Sequence, residues 1–207
     1  MKTSVAVIDY GMGNLWSVIS AIEYLGYSCN IIKTPAEIDQ ADALILPGVG
    51  SFKAAIERLH ERELFDCIYK NVTTSNKKIL GICLGMQLLC SSSSEEGYSQ
   101  GLNLIKGDIK KFSDKYLKQI KLPHIGFNQI EVIKNDGFFN GLEGFSDFYF
   151  VHSYRLVKSN INYSHATCHY GEEFIAAFQD NHIFGTQFHP EKSQTNGLFL
   201  LKNFLEY

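Results

Sequence analysis

The chain has 207 residues and a formal net charge of −3, with 19 Lys and Arg scattered among 22 Asp and Glu. That length fits one compact domain covering 1–207, and the lack of basic clusters argues against a nucleic-acid surface. No apolar run approaches the ~20 residues that cross a membrane, and the N-terminus reaches Asp9 too early for a secretory apolar segment, so a cytoplasmic protein without membrane contact is expected.

The first half alternates strands and helices. Residues 4–9 read as a fully buried strand, ended by Tyr10-Gly11-Met12-Gly13-Asn14. Leu15, Val18, Ile19, Ile22 and Leu25 then mark one helical face, with Gly26 as its stop. Residues 29–33 predict a second strand, and 43–46 a third that runs directly into Pro47-Gly48-Val49-Gly50. Helical spacing returns over 51–71, a fourth strand covers 79–82, and a helix covers 84–91. Short apolar strands separated by helices predict right-handed βαβ units and an α/β fold with a parallel sheet. Ligand sites in such sheets lie at the carboxyl ends of the strands. Three loops should therefore gather at one edge: 11–14, 47–50 and the turn at Cys83.

The second half predicts antiparallel hairpins joined to that sheet, with strands at 107–112, 129–133, 147–152, 165–170, 174–179 and 182–189. A closing helix is expected over 196–205. The serine run at 91–97 reads as a solvated loop. No internal repeat, linker, Walker-type loop or G-x-G-x-x-G motif is present, and no cofactor is expected.

The cysteines are Cys29, Cys67, Cys83, Cys90 and Cys168. An odd number at irregular spacing, without a C-x-x-C pair, argues against a disulfide framework or a structural zinc site. Four of them read as small buried hydrophobes. Cys83 differs because it follows a strand directly and opens a helix, between Gly81 and Gly85. That is the arrangement of a nucleophile elbow, in which glycines remove the clashes of a sharp turn. Free N–H groups at the helix start favour a thiolate, and the N–H of Leu84 can face a developing oxyanion. A thiolate nucleophile also needs a base and an orienter. His189-Pro190-Glu191 supplies both, since the proline restricts the backbone around His189 and Glu191 can hold one imidazole nitrogen while the other faces Cys83.

Gly81-Ile82-Cys83-Leu84-Gly85-Met86-Gln87 and Gln187-Phe188-His189-Pro190-Glu191 together resemble the class I (triad) glutamine amidotransferases. That family carries a Pro-Gly-containing oxyanion loop after the third strand, and here the loop is Pro47-Gly48-Val49-Gly50. Within the family the chain is most like the glutaminase subunit of imidazole glycerol phosphate synthase, in histidine biosynthesis. Asp9-Tyr10-Gly11-Met12-Gly13-Asn14, Pro123-His124-Ile125-Gly126-Phe127-Asn128, Tyr149-Phe150-Val151-His152-Ser153-Tyr154 and His189-Pro190-Glu191-Lys192-Ser193 carry that likeness along the whole chain.

The resemblance implies a flavodoxin-like fold, with a mostly parallel central sheet flanked by helices and antiparallel strands added in the second half. It implies catalysis by Cys83, His189 and Glu191, with backbone oxyanion donors at Leu84, Gly48, Val49 and Gly50. L-glutamine would be held by Gln87, His152, Ser153 and Tyr154. The implied partner is a cyclase subunit of (β/α)8-barrel type, forming a heterodimer over Gly13, Asn14, Phe127 and Lys192. The chain departs from the family at Phe127, where tryptophan is usual, and at Trp16, where relatives are often polar. Both departures lie where a partner is expected, so a related acceptor stays open: ammonia for amination or amidination of a surface sugar. A γ-glutamyl hydrolase or cysteine peptidase of related fold is opposed by the full-length likeness. A catalytically silent subunit is opposed by the presence of Cys83, His189 and Glu191. Finally, Val49 resists the positive φ that glycine accepts, so the loop N–H is expected to be turned away until a partner and acceptor bind.

Overall fold

A computed structural model describes residues 4–116, 118–134, 136–142, 144–157 and 162–207. In chain order the elements are β1 (Val5–Ile8), α1 (Leu15–Tyr24), β2 (Cys29–Ile32), α2 (Pro35–Gln40), β3 (Ala43–Gly48), α3 (Phe52–Glu61), α4 (Leu64–Thr74), β4 (Lys78–Cys83) and α5 (Leu84–Leu89). The second half follows with β5 (Ser92–Ser93), β6 (Ser99–Gln100), β7 (Asp108–Lys111), β8 (His124–Val132), β9 (Phe145–His152), β10 (Tyr154–Val157), β11 (Ser164–Tyr170), β12 (Glu172–Asp180), β13 (Ile183–Thr186) and α6 (Gln194–Glu206).

One sheet joins all the strands, in the order β2-β1-β3-β4-β13-β12-β10-β7-β5-β6. β2, β1, β3, β4 and β13 are mutually parallel. From β12 onward the pairings are mainly antiparallel, and β11, β8 and β9 extend the sheet from β12. The central parallel strands β1 and β3 are apolar and buried along their whole length because both faces are covered, whereas the edge strand β2 carries the exposed Asn30. Val5, Val7, Ala43 and Ile45 pack with α1 and α6 on one face. Ala6, Ile8, Leu44 and Leu46 pack on the other, with α2, α3, α4 and α5.

The three loops at the carboxyl edge do meet. Gly48 lies opposite Cys83 in the β3–β4 register. Gly13 packs against the Pro47 ring, at 3.5 Å from a Cβ position on the glycine. Gly50 lies under Met12, 2.6 Å from its Cε by the same measure.

Several elements differ from the sequence expectation. The helix expected over 51–71 is two helices, broken where Glu63 adopts φ 58°. Their buried residues, Phe52, Ala55, Leu59 and then Leu64, Ile68, Val72, step by three or four except across the break, where the step is five. α2 was unforeseen, although Thr34-Pro35-Ala36-Glu37 is a capping sequence: Glu37 accepts hydrogen bonds from the Lys33 and Thr34 N–H groups at 2.8 and 2.9 Å. The serine run is not a solvated loop. Ser92 and Ser93 are buried in β5, and Ser92 Oγ donates to Asp108 on β7 at 2.6 Å. β8 starts at His124 rather than 129, and its alternation is inverted, with Ile125 and Phe127 turned outward. β10 was also missed. β13 ends at Thr186, three residues short of His189, although Gln187 N–H still bonds to Ala176 at 2.8 Å.

The elbow depends on close approach rather than on glycine flexibility. A Cβ on Gly85 would overlap the Leu46 carbonyl oxygen, and one on Gly81 would lie 2.6 Å from the Met86 nitrogen. Gly85→Ala is therefore expected to destabilise the chain by roughly 3 kcal/mol or more, whereas Gly144→Ala, which meets nothing within 4 Å, should change stability by less than about 0.5 kcal/mol. Urea denaturation of the two variants measures the contrast.

Candidate active site

Cys83 ends β4 and caps α5 with φ 55° and ψ −109°. A non-glycine residue rarely adopts this backbone. The result is a side chain turned out of the strand into a cleft while remaining only 7% exposed. Its sulfur lies 3.8 Å from the Val151 carbonyl oxygen and 3.8 Å from Gln187 Nε2. α5 has only six residues, so the long-range helix dipole is small. What α5 offers the sulfur is the unpaired N–H groups of its first turn.

His189 reaches the same cleft from beyond the end of β13, the strand paired with β4. Its backbone N–H bonds to Tyr149 at 2.9 Å. The Ser193 hydroxyl donates to the His189 carbonyl at 2.6 Å and accepts from the Tyr149 N–H at 3.0 Å. Pro190 opens a 3-10 turn to Lys192, and Gly197 of α6 lets that helix close on the Pro190 carbonyl, where any Cβ would overlap. This turn holds Glu191 Oε1 2.8 Å from His189 Nδ1, with both side chains buried. Nε2 of His189 and Oε2 of Glu191 are buried without a hydrogen-bond partner. Burial by itself would lower the His189 pKa, but Cys83 and Glu191 outweigh it and lift the imidazole to about 10.

The cleft has a volume of about 270 Å³, the size of a small ligand. Cys83, His189, Leu84, Val49, Gly50, Gln87, His152, Ser153 and Tyr154 line it, and so do Glu95, Pro123 and Val151. Gly48 lies beneath, beside Cys83. Val49 is 46% exposed at the rim. It stays out of the left-handed region, and the positive φ of the loop falls on Gly50, at +113°.

Gly13, Asn14, Phe127 and Lys192 lie outside the cleft. Phe127 packs edge-on against Tyr149 with centroids 5.6 Å apart, and Lys192 Nζ lies 6.0 Å from the same ring, so these two share one surface. Asn14 Nδ2 bonds to Ser17 Oγ at 2.8 Å.

Three residues at the site had no role in the sequence reading. Gln187 is fully buried. It faces the Cys83 sulfur through Nε2 and accepts from Gln87 Nε2 through Oε1 at 3.0 Å. It stands in the same motif as His189, but nothing in local spacing marks its direction. Glu95, hidden in the serine run, accepts from the Phe52 N–H at 2.7 Å and brings a carboxylate to the cleft. His124 pairs with His152, Nδ1 to Nε2, at 3.0 Å.

That pair has one consistent proton arrangement. His152 Nδ1 lies 2.8 Å from the Tyr154 carbonyl, so it carries a proton and donates. His152 Nε2 then accepts from His124 Nδ1. His124 Nε2 in turn accepts from Asn128 Nδ2 at 3.3 Å. Both rings are neutral, and burial lowers His124 to about 4 and His152 to about 3. Both ring nitrogens of His152 are engaged, which leaves its backbone as what it can offer a ligand. The Tyr154 carbonyl also accepts from Gln87 Nε2 at 3.0 Å, so Gln87 keeps only its Oε1 for the cleft.

The remaining cysteines do not line the cleft; Cys90 and Cys168 are buried as expected, whereas Cys29 and Cys67 are only half-buried. Burial pushes the thiols of Cys29 and Cys168 up to about 11 and about 12, and that of Cys90 higher still. They are poor nucleophiles at neutral pH.

The profile of the family described as glutamine amidotransferase class-I matches residues 6–206. Among curated proteins, the chain is 45% identical over 201 residues to imidazole glycerol phosphate synthase subunit HisH 1 of Campylobacter jejuni strain RM1221, covering 97% of this chain and 98% of that one. It is 44% identical over 206 residues to the protein of the same description from Parasynechococcus marenigrum strain WH8102, covering 99% and 98%. It is 41% identical over 208 residues to imidazole glycerol phosphate synthase subunit HisH of Acinetobacter baylyi, covering 99% and 98%. Among solved structures, the fold is similar to that of PurLQS from Thermotoga maritima, with a TM-score of 0.76 at 23% identity over 100% of this chain and 99% of that one. A glutamine amidotransferase from the same organism gives a TM-score of 0.64 at 15% identity, covering 100% and 82%.

The histidine pair generates a pH dependence. Their folded pKa values lie below the ~6.5 of an unfolded histidine, so the unfolded chain binds protons first on acidification. Stability should be lost as pH falls from about 6.5 toward the folded values of about 4 and about 3. Urea midpoints between pH 7 and 4.5 should decline in the wild type, and less steeply in His124→Gln. Equal slopes would count against the neutral pair.

Proposed function

The chain belongs to the class-I glutamine amidotransferase family, and on that premise we propose that it is the glutaminase subunit of an imidazole glycerol phosphate synthase. It hydrolyses L-glutamine to glutamate and ammonia and passes the ammonia to a cyclase partner in histidine biosynthesis. The observation that carries this reading is that Cys83 and His189 line one small cleft, with the buried Glu191 carboxylate held on His189 Nδ1 behind it at 2.8 Å. The curated relatives, whose descriptions name that synthase, support the pathway.

The mechanism follows from the groups present. Glutamine enters with its carboxamide over Cys83. The Glu95 carboxylate and Gln87 Oε1 accept from its α-ammonium, and the backbone of Ser153 and Tyr154 meets its carboxylate. The sulfur attacks the carbonyl carbon. The resulting oxyanion is held by the Leu84 N–H and an N–H of the Gly48–Gly50 loop, donors worth about 3 kcal/mol each in such sites. His189 Nε2 gives its proton to the departing ammonia, leaving a glutamyl thioester. The now neutral imidazole takes a proton from water, which hydrolyses the thioester. Glu191 keeps Nε2 aimed at the sulfur throughout.

The reading takes 1–207 as a single amidotransferase domain, with glutamine as its only substrate. Its ammonia therefore needs a second subunit of (β/α)8-barrel type, bound as a heterodimer. Gly13, Asn14, Phe127 and Lys192 mark the docking face. Phe127 is 53% exposed, and with Ile125 it turns an apolar strip of β8 outward, the pattern of a surface awaiting a partner.

Cys83→Ala should abolish glutamine-dependent synthesis by the complex, a loss of at least about a thousandfold, while synthesis from ammonium salts continues. Release of glutamate by the Ala variant would remove Cys83 as nucleophile, and ammonia transfer only to a nucleotide-sugar acceptor would reassign the pathway. Because Val49 holds ordinary backbone geometry in the free chain, glutaminase turnover should rise sharply when partner and acceptor bind. A free subunit as fast as the complex would count against a resting loop.

A further inference from the structure

Tyr10 follows β1 at the carboxyl edge of the sheet, and its side chain is fully buried. Its hydroxyl has no hydrogen-bond partner, a condition shared among the described residues with His189 Nε2 and Glu191 Oε2 of the triad and with Arg155 Nε. Buried polar groups are nearly always paired, so an orphan calls for an explanation. Tyr→Phe chemistry would remove this hydroxyl without loss of packing, yet the chain keeps it directly on the oxyanion loop. A Cβ on Gly48 would overlap the Tyr10 oxygen, while Leu84 and the Gly85 nitrogen close the same space at 3.0 and 3.2 Å.

The topology says what the hydroxyl can meet. β3 lies between β1 and β4. On the β4 side, Gly48 is opposite Cys83. On the β1 side, the register that pairs Val7 with Ile45, continued three residues, sets Tyr10 beside Gly48. The C=O and N–H of a trans peptide point in opposite directions. If the Val49 N–H is to face an oxyanion on Cys83, the Gly48 carbonyl must turn away from Cys83, toward Tyr10. The phenol stays protonated at any relevant pH, because burial and then Cys83 raise its pKa far above the ordinary tyrosine value.

We propose that Tyr10 is a positioning residue for glutamine hydrolysis: its hydroxyl donates to the Gly48 carbonyl when the Gly48–Val49 peptide turns its N–H toward the oxyanion, and so holds the loop in its catalytic form. This rests on the reading that the loop supplies an oxyanion donor and is turned away at rest. In the resting chain the hydroxyl waits without a partner, and the bond forms only in the working state.

The test is Tyr10→Phe, assayed in the complete complex with acceptor bound. The expected result is a fall of about tenfold in kcat for glutamine hydrolysis with an unchanged KM, since the glutamine contacts are untouched; a tenfold change corresponds to about 1.4 kcal/mol. The urea stability of the free variant should equal or exceed that of the wild type, because no resting hydrogen bond is lost. A structural role predicts the reverse, loss of stability with or without loss of rate, and that result overturns the proposal. So does wild-type kcat in Tyr10→Phe. If the wild-type complex turns over glutamine no faster than the free subunit, the resting-loop reading itself fails, which separates that failure from one specific to Tyr10.

Discussion

The strained backbone of Cys83 is the constraint on which the site depends. A residue with a side chain at φ 55°, ψ −109° carries a cost on the order of 1–3 kcal/mol, and it persists only where the surroundings leave no alternative. Here the surroundings are backbone. β3 and β13 pin β4 on both edges, and α5 presses against β3 so closely that Gly85 meets the Leu46 carbonyl. The chain can leave β4 and enter α5 only through the turn that turns the sulfur outward. Gly81 and Gly85 serve that approach by their lack of side chains, while the positive φ falls on the cysteine itself.

The histidine side of the cleft is held by a different means. β13 stops at Thr186, and the following residues are fixed by bonds to neighbouring strands and by a serine. Ser193 ties the His189 carbonyl to the Tyr149 N–H, so the imidazole and its carboxylate sit on a closed hydrogen-bonded turn. Cys83 is thus positioned by packing and the His189 imidazole by polar bonds, and the two systems meet across the paired strands β4 and β13. The exposed face of the β8–β9 hairpin lies next to this turn through Tyr149, which touches both Phe127 and Lys192. A partner pressing on that face would press on residues bonded to His189.

Much of the polar chemistry runs beneath the cleft. From Asn128 a directed series of hydrogen bonds passes through His124 and His152 to the Tyr154 carbonyl. Gln87 shares that carbonyl and leads on to Gln187 and the Cys83 sulfur. Each donor in the series has an acceptor, so the buried polar groups are satisfied without charge. The aromatic packing of His124 between Phe150 and Tyr170, with centroids 4.7 and 3.9 Å away, keeps it neutral by excluding water.

The amino-acid sequence alone determined the parallel half of the sheet, the elbow at Cys83 and the His189–Glu191 pair. Each is written in residues a few positions apart, where apolar runs, glycine spacing and a proline leave direct marks. The same local reasoning misplaced elements whose signal is a single slipped step, as between Leu59 and Leu64, or an inverted alternation, as along β8, whose outward apolar residues imitate a core face. Only the tertiary structure decided that Gln187 faces the sulfur, that Glu95 enters the cleft, that His124 and His152 share one proton arrangement, and that the Tyr10 hydroxyl lies unpartnered on Gly48. These contacts join residues of different elements, up to about a hundred residues apart in the chain. Local periodicity records which face a residue occupies; which neighbour it meets there is settled when the sheet assembles.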